Sequence, residues 1–249
     1  MRRFHKNTQA PAVLRKDGLG KTTDLIKAIE EGNNSPTIDS LYRHPDVKRQ
    51  LKSDQNEKCA YCERKLNGDY GAVEHYRPKG GWQQESGDSL NKPGYYWLAF
   101  EWSNLLFCCD ECNTSYKMNL FPLANPDSRN IENRDISKEQ PLLINPSTED
   151  PGAYIAFNKE MAVPRVISGH FSEKGEKTIE LLGLNSRSDL KQARRNSFFI
   201  YKNLLLFRKA LEVLNVPQEL RLLDRVIALL TNEDAEFTGM FLNQVSSDY

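Results

Sequence analysis

Two pairs of cysteines constrain the fold of this chain more tightly than any other feature of its sequence. Cys59 and Cys62 form one C-x-x-C pair, Cys109 and Cys112 form a second, and 46 residues separate the two pairs. A two-residue gap lets one tight turn present both sulfurs to the same ion, and four thiolates match the tetrahedral coordination that structural Zn²⁺ prefers. Because the interval is longer than a compact zinc ribbon needs, we expect the zinc ion to clamp a larger motif inserted between the pairs.

Other interpretations of these cysteines compete with the zinc site. A C-x-x-C pair can be a redox dithiol, but no thioredoxin-like βαβ pattern surrounds either pair. The fifth cysteine, Cys108, follows an apolar run and is interpreted as a small buried apolar residue. If Cys108 replaced Cys109 as a ligand, the second pair would have the less favoured spacing C-x-x-x-C. The odd number and tight clustering of the cysteines also disfavour a disulfide framework.

Turn residues and changes of periodicity divide the 249 residues into four segments. Residues 1–55 are predicted to be a helical N-terminal extension, and residues 56–122, which hold every cysteine, to be the core. Residues 123–170 are predicted to be an irregular connector with some β-structure, and residues 171–249 to be a helical region. The predicted fold class is therefore α+β, with a small zinc-stabilised core between two helical regions.

Local signals place several elements within these segments. Thr22 or Thr23 is predicted to cap a helix that ends at Gly32, and a second helix is predicted from Pro45 to Lys52. The remaining predicted elements are β-like runs at 154–157 and 163–167, a long helix capped by Ser188 and reaching about Leu214, a helix opened by Pro217 that covers 220–230, and a short amphipathic tail at 237–245.

Composition limits how the chain can act. Its 34 basic and 34 acidic side chains cancel, which argues against nucleic-acid binding through bulk charge alone. Residues 1–80 and 187–225 each carry five more basic than acidic side chains, so a local basic face and ordinary solvated helix surfaces both remain open. No run approaches the roughly 18 apolar residues of a membrane helix. No apolar stretch follows the basic N-terminus, so we expect no secretory signal, no membrane contact and a cytoplasmic location.

The segment between the cysteine pairs contains four polar residues of chemical interest. Glu74 and His75 follow the turn-prone residues 67–71, and we expect a hairpin whose strand delivers them side by side. Asn104 precedes the second cysteine pair, and Asn113 follows it directly, where a helix is expected to start. A neutral imidazole can take a proton from water near pH 7, and carboxylate and amide oxygens suit a hard divalent cation.

Each of these residues taken alone has an ordinary structural interpretation. A histidine such as His75 is common in half-buried strands, a glutamate such as Glu74 can face solvent, and Asn104 or Asn113 can sit in a turn or cap a helix. Their order and spacing between two cysteine pairs favour one site.

The pattern of an acidic residue before His, then Asn-Leu, then C-x-x-C-N-x-x-x-K resembles the HNH (ββα-metal) nucleases with flanking zinc ligands. In that family two strands and a helix surround one catalytic divalent ion. The resemblance implies that Glu74 and Asn113 bind Mg²⁺ or Mn²⁺, that His75 is the general base, and that Asn104 braces the loop that orients the base. It also implies products with a 5′-phosphate and a 3′-hydroxyl.

Two features depart from the HNH pattern. The interval from His75 to Asn104 is long, and residues 79–93 are interpreted as an inserted polar loop. Asparagine stands at position 113, where many members of the family have histidine.

Three basic residues near the four polar residues are candidates for phosphate binding. Arg77 and Lys79 follow His75 closely, and Lys117 lies one helical turn beyond Asn113. The competing interpretation is that each is a plain surface charge.

A wider resemblance points to one group within the HNH class. Five stretches are similar to the PtuB-type nucleases of Septu and retron-linked anti-phage systems: Cys-Ala-Tyr-Cys-Glu-Arg (59–64), Glu-His-Tyr-Arg-Pro-Lys (74–79), Tyr-Trp-Leu-Ala-Phe-Glu-Trp (96–102), Pro-Leu-Leu-Ile-Asn-Pro (141–146) and Lys-Thr-Ile-Glu-Leu-Leu-Gly-Leu-Asn (177–185). The resemblance implies a PtuA-type ATPase of the ABC/SMC-like class as partner. In some systems it also implies a retron reverse transcriptase with its multicopy single-stranded DNA.

The sequence therefore supports one leading hypothesis and two others. The leading hypothesis is a metal-dependent HNH endonuclease that cleaves DNA or RNA as the effector of an anti-phage complex. The first alternative is a non-catalytic, zinc-stabilised subunit for nucleic-acid binding or assembly, and the second is a thiol oxidoreductase. Apolar positions of the C-terminal helices, such as Phe198, Phe199, Leu204 and Leu205, fit either a partner-docking face or the core of this chain.

Overall fold

The computed structural model describes residues 1–68 and 70–245. Near its centre lies a two-stranded antiparallel sheet of β1 (Ala72–His75) and β2 (Leu105–Cys108), in which His75 is paired with Leu105. All four residues of β2 are buried, so this strand is covered on both faces. The prediction of a hairpin at residues 67–71 is wrong, because β1 pairs with β2, which begins 30 residues after His75, and not with a strand across that turn. Asp69 lies outside the described residues.

Two N-terminal helices support this sheet. They are α1 (Ala12–Glu30) and α2 (Pro45–Asp54), and α2 packs Val47 and Leu51 against both strands. The start of α2 at its proline was predicted. The expected start of the first helix at Thr22 or Thr23 is wrong, because the helix begins directly after Pro11 and both threonines lie inside it.

A short π-helix (Glu111–Lys117) follows β2 and completes a strand–strand–helix sequence. Its wide turn is visible in the hydrogen bond from Met118 N to Asn113 O, which spans five residues and measures 3.0 Å. Such π-helical turns occur often at functional sites. The helix expected to start at the end of the second cysteine pair is present in this wider form, but it begins at Glu111, inside the pair.

The connector and the first C-terminal helix pack together. The structure has two antiparallel pairs, β3 (Ile155–Asn158) with β4 (Met161–Pro164) and β5 (Val166–Ile167) with β6 (His170–Phe171). The predicted β-like runs overlap β3, β4 and β5, whereas β6 was not predicted. The hydroxyl of Ser172 accepts a 3.1 Å hydrogen bond from Gly175 N and so caps α3 (Glu173–Leu181), which packs on β4. Short 3₁₀ turns cover Ser40–Arg43, Tyr96–Leu98, Trp102–Asn104, Pro126–Ser128 and Pro151–Ala153.

Three further helices close the described chain: α4 (Ser188–Leu214), α5 (Pro217–Thr231) and α6 (Thr238–Leu242). α4 and α5 form an antiparallel hairpin through Asn215, whose left-handed backbone (φ 52°) is a conformation that asparagine tolerates. Residues 246–249, which end the predicted helical region, lie outside the described residues. Among the described helices, none combines the length and apolar character needed to cross a membrane.

One buried core draws on all four predicted segments. It contains Leu14 from α1, Phe107 from β2, Ile144 from the connector and Phe241 from α6. The central sheet is therefore held by residues far from it in sequence, and this packing fixes the residues described next.

Candidate functional site

The four paired cysteines come together as predicted. The sulfur atoms of Cys59, Cys62, Cys109 and Cys112 lie within 4.8 Å of one another, and all four side chains are buried. The sulfurs of Cys62 and Cys109 are 3.8 Å apart. A tetrahedral zinc ion with Zn–S bonds of about 2.3 Å sets its sulfurs about 3.8 Å apart. The cluster therefore fits a structural zinc ion with only small movements of the side chains.

Local backbone geometry brings each cysteine pair to the ion position. After the first pair the chain turns sharply at Glu63, which has a left-handed φ of 62°, and Glu63 N donates a 3.1 Å hydrogen bond to Cys59 O. The second pair spans the end of β2 and the π-helix, where Cys112 N lies 3.4 Å from Cys109 Sγ. The two pairs thus reach the cluster from a tight turn and from the start of a helix.

A buried arginine accompanies the cysteines. Arg187 donates from Nη1 to Cys112 Sγ at 3.1 Å and pairs with Glu111 through its other terminal nitrogen. Four thiolates around Zn²⁺ carry a net negative charge, and a buried guanidinium beside them offsets it. Sequence reasoning missed Arg187 because it lies 75 residues from Cys112 and no local pattern marks it.

Cys108 is placed as expected for a small buried apolar residue. It is fully buried at the end of β2, opposite Ala72, and is not one of the four clustered cysteines. Burial raises the pKa of the Cys108 thiol, which keeps it protonated.

On the other end of the central sheet, His75 occupies a defined position. Its Nε2 lies 2.9 Å from the carbonyl oxygen of Ala99, and the ring packs edge-on against Tyr42 with centroids 4.6 Å apart. A carbonyl oxygen can only accept, so Nε2 must carry the ring hydrogen. Nδ1 is then the acceptor nitrogen, and it lies 3.5 Å from Lys79 Nζ.

The surroundings of His75 keep its ring neutral. Burial lowers the pKa of His75 well below its usual value, and the nearby charges of Lys79, Lys117 and Arg43 lower it further, against a rise from the Ala99 hydrogen bond. A neutral imidazole is the form that accepts a proton from water, and its Nδ1 lone pair is held here by a long, weak contact with Lys79 Nζ at 3.5 Å.

Asn104 ties the residues after His75 to the start of β2. Its Oδ1 accepts from Arg77 N at 2.8 Å, and its Nδ2 donates to Arg77 O at 3.0 Å and to Leu98 O at 3.1 Å. Its own carbonyl accepts from Tyr76 N at 2.9 Å. The side chain is buried, so these bonds form away from water and hold the loop that leaves β1.

Glu74 is buried and faces a charge. Lys117 Nζ lies 2.5 Å from Glu74 Oε1 and also donates to the carbonyl of His75 at 2.8 Å. Oε1 has this ion pair and no further hydrogen-bond partner. Burial raises the pKa of Glu74, while the charges of Lys117 and Lys79 oppose that rise.

A cavity of about 430 Å³ brings the polar residues together. Glu74, His75, Lys79 and the half-buried Asn113 line it, whereas Asn104 is buried and is not part of the lining. The carboxylate of Glu74 and the amide of Asn113, which both line the cavity, are donors that a hard divalent cation prefers. The residues present therefore fit such an ion.

The three basic candidates have different placements. Lys79 lines the cavity, as a phosphate-binding residue should. Arg77 points away from it into the interior, where its Nε lies 3.0 Å from the fully buried carboxylate of Glu139. Lys117 is completely buried behind Glu74. The expected phosphate contacts of Arg77 and Lys117 therefore do not fit their positions, since neither charge can reach a substrate directly.

The N-terminal segment supplies residues that sequence reasoning missed. Tyr42, in the 3₁₀ turn before α2, packs on His75 and carries Lys79 Nζ 4.5 Å above its ring. Arg43 is exposed at the cavity rim. Further along, Lys6 donates to Leu105 O at 2.7 Å and to the carbonyl of Trp102, on either side of Asn104. Burial lowers the pKa of Lys6 to about 7. In the sequence, the excess of basic residues in the first 80 positions was the one signal that this segment contributes to the site.

Comparisons with known proteins add to this geometry. No protein-family model matches the chain. The chain is 37% identical over 182 residues to Septu protein PtuB of Bacillus mycoides (strain KBAB4), which covers 71% of this chain and 61% of that protein. It is 26% identical over 175 residues to Septu protein PtuB of Bacillus thuringiensis, covering 70% of this chain and 51% of that protein. The chain thus spans between half and three fifths of these relatives.

A third relative has a different name. Septu protein PtuA of Bacillus mycoides (strain KBAB4) is 31% identical over 150 residues, which is 60% of this chain but 20% of that protein.

Fold and site together define a protein of mixed helices and small sheets with a buried cluster of four cysteines that can hold zinc. Over the matched region, the chain is a homologue of the PtuB proteins of Septu.

Proposed function

We propose that this protein is a metal-dependent endonuclease of the HNH class and the effector of a Septu-type anti-phage complex. The observation that carries this proposal is the state of His75. Its Nε2 is committed to the Ala99 carbonyl, its ring is neutral, and its Nδ1 carries a lone pair beside a cavity, 3.5 Å from Lys79 Nζ. In the proposed reaction, Nδ1 takes a proton from the water that attacks a phosphodiester.

The other cavity residues have roles that suit this reaction. Glu74 and Asn113 would hold a Mg²⁺ or Mn²⁺ ion, which when bound stabilises negative charge on the phosphate and the leaving oxygen. The charge of Lys117 opposes the rise that burial causes in the pKa of Glu74, and Asn104 positions the loop after the base. Lys79 and Arg43 provide positive charge where a nucleic-acid backbone would enter.

The zinc cluster has a separate role in this proposal. It joins the turn at Cys59 to the π-helix that carries Asn113, so the ion fixes one cation ligand relative to β1. Zinc is thus structural and the second ion is the one used in cleavage.

The similarity to a protein named PtuA supports a partner of that type. The matched region is one fifth of that protein, so a segment like this chain is joined there to four fifths of other sequence. Segments joined in one protein often associate as separate chains in another. We therefore propose a PtuA-type ATPase of the ABC/SMC-like class as partner; a retron reverse transcriptase with its single-stranded DNA is the second candidate.

A cleavage assay tests the proposal. The purified protein, alone and with its candidate ATPase, is incubated with plasmid DNA, single-stranded DNA and structured RNA in Mg²⁺, Mn²⁺ or EDTA. We expect cleavage of at least one substrate that needs the divalent ion and is lost in His75→Ala. His170→Ala is the matched control, because His170 is exposed on β6. Binding without cleavage in every assembly would favour the non-catalytic subunit instead.

A further inference from the structure

The α4–α5 hairpin exposes an apolar face that nothing in the proposed function uses. On α4, two rows of large apolar side chains repeat every seven residues. One row contains Phe199, Leu206 and Val213, and the other contains Ile200, Phe207 and Leu214. All six are exposed, Val213 to 86% and Phe199 to 68%. Leucine, phenylalanine and valine side chains in contiguous rows on a monomer surface indicate an interaction site.

A matching row lies on α5. Leu222, Val226 and Leu229 are exposed and follow the spacing i, i+4, i+7, which places them on one side of the helix. Leu211 and Leu223 are buried in the hairpin and mark the directions in which the two helices face each other. Successive residues of a helix are about 100° apart around its axis. Because α4 and α5 are antiparallel, this spacing places the exposed rows of both helices on the same side of the α4–α5 contact.

The opposite side of the hairpin is polar. There Arg208 reaches across from α4 to Asp224 on α5, with 2.7 Å between Nε and Oδ1. Between the two apolar rows of α4 the intervening side chains are Asn203 and Ala210, so the α4 part of the face contains no charge. The hairpin therefore has one charged face and one apolar face.

We propose that the apolar face of the α4–α5 hairpin binds the same face of a second copy of this chain, so that two hairpins form a four-helix bundle. Nine exposed side chains together present on the order of 1,000 Å², and a stable interface buries about 800 Å² on each partner. The area is sufficient for a dimer without any contribution from the rest of the protein.

The period of the rows identifies the occupant as another pair of long helices. A seven-residue repeat keeps its side chains in register with a helix that packs alongside at a shallow angle. From Phe199 to Val213 the face is about 21 Å long, and its occupant needs an uncharged helical surface of similar length. Among the described residues, 1–68 and 70–245, the uncharged helical surface of this length is the apolar face of the α4–α5 hairpin itself. The nearest charges on α4, Lys202 and Lys209, border the row of Leu206 and Val213 and can extend to the rim, so two identical faces can meet under two-fold symmetry.

Light scattering coupled to size-exclusion chromatography tests this inference and needs no knowledge of the substrate. The 249-residue chain of 28.6 kDa is analysed at about 1 to 100 µM. We expect a concentration-dependent species of twice that mass. Leu206→Glu should raise the dissociation constant of the dimer at least about 30-fold, because each dimer then contains two charges in an apolar interface.

A matched control keeps the test specific. Leu19→Glu makes the same change at a leucine on α1 that is 78% exposed and lies outside the hairpin, and it should leave the dimer intact. Circular dichroism and zinc content should be equal in both variants, which shows that each is folded. A wild-type chain that remains monomeric at the highest concentration overturns the proposal, even if another protein then binds the face. Equal dimerisation of Leu206→Glu and wild type also overturns it.

Discussion

Asn104 offers a sharp test of how the candidate site is held. Replacing it with aspartate keeps the size and shape of the side chain and the acceptor for Arg77 N, but removes the Nδ2 donor. The carbonyls of Arg77 and Leu98, now 3.0 and 3.1 Å away, lose their hydrogen bonds and face a carboxylate oxygen. Each buried acceptor left without a partner costs about 1–3 kcal/mol, so we expect Asn104→Asp to lower the free energy of unfolding by about 3 kcal/mol at pH 7.

The pH dependence of this loss is a second signature. A protonated aspartate can donate to one of the two carbonyls, and burial beside carbonyl oxygens favours that form. The difference in unfolding free energy from wild type should therefore shrink as the pH falls towards 5. Urea unfolding followed by circular dichroism measures it. The control is Asn33→Asp, where the exposed side chain accepts from Ser35 N and aspartate retains that bond. A loss below about 1 kcal/mol at pH 7 would refute this account of Asn104.

Four other predictions concern the metal cluster, the base and the basic residues. Cys109→Ser should lose the tightly bound zinc, about one per chain, because it removes one of four ligands, whereas Cys108→Ser should retain it; elemental analysis of both variants decides. Because the pKa of His75 is lowered, its ring stays neutral as the pH falls through 6.5, so the pH profile of kcat/KM should show no decline there; a decline centred near 6.5 would contradict the assigned environment. Arg43→Ala should weaken nucleic-acid binding and reduce the salt dependence of log Kd by about one charge, measured by fluorescence anisotropy; an unchanged slope would place Arg43 outside the interface. Arg77→Met should instead leave the salt dependence of log Kd unchanged and lower the unfolding free energy by about 3 kcal/mol, because it leaves Glu139 buried without its cation. A reduced salt dependence would support a phosphate contact by Arg77.

Short-range signals in the sequence predicted the elements that depend on them. Pro45 and Pro217 each open a helix, because proline fits the first turn where its missing N–H is not needed. The start of α1 was missed because Gly18 and Gly20 weaken the helical pattern. In the fold Gly18 is buried, and an added Cβ would make only an ordinary 3.4 Å contact with the side chain of Phe100, so packing does not require glycine there.

The candidate site was predicted in its composition but not in its full extent. The spacing of the cysteines predicted the cluster because four thiolates at C-x-x-C spacing have few other uses. Sequence spacing does not determine the direction of a side chain. It therefore predicted phosphate contacts for Arg77 and Lys117, although both side chains point into the interior. Tyr42 and Arg187 reach the site only through tertiary packing, which leaves no mark in the sequence around them.

The proposed base can be tested directly by chemical rescue. Single-turnover cleavage of the best substrate is measured for wild type and His75→Ala in the presence of the divalent ion, with and without added imidazole. The account predicts that the variant loses about 10²–10⁴ in rate and that imidazole, which can occupy the vacated space and accept the proton, restores part of it. Cleavage by His75→Ala at the wild-type rate would contradict the account.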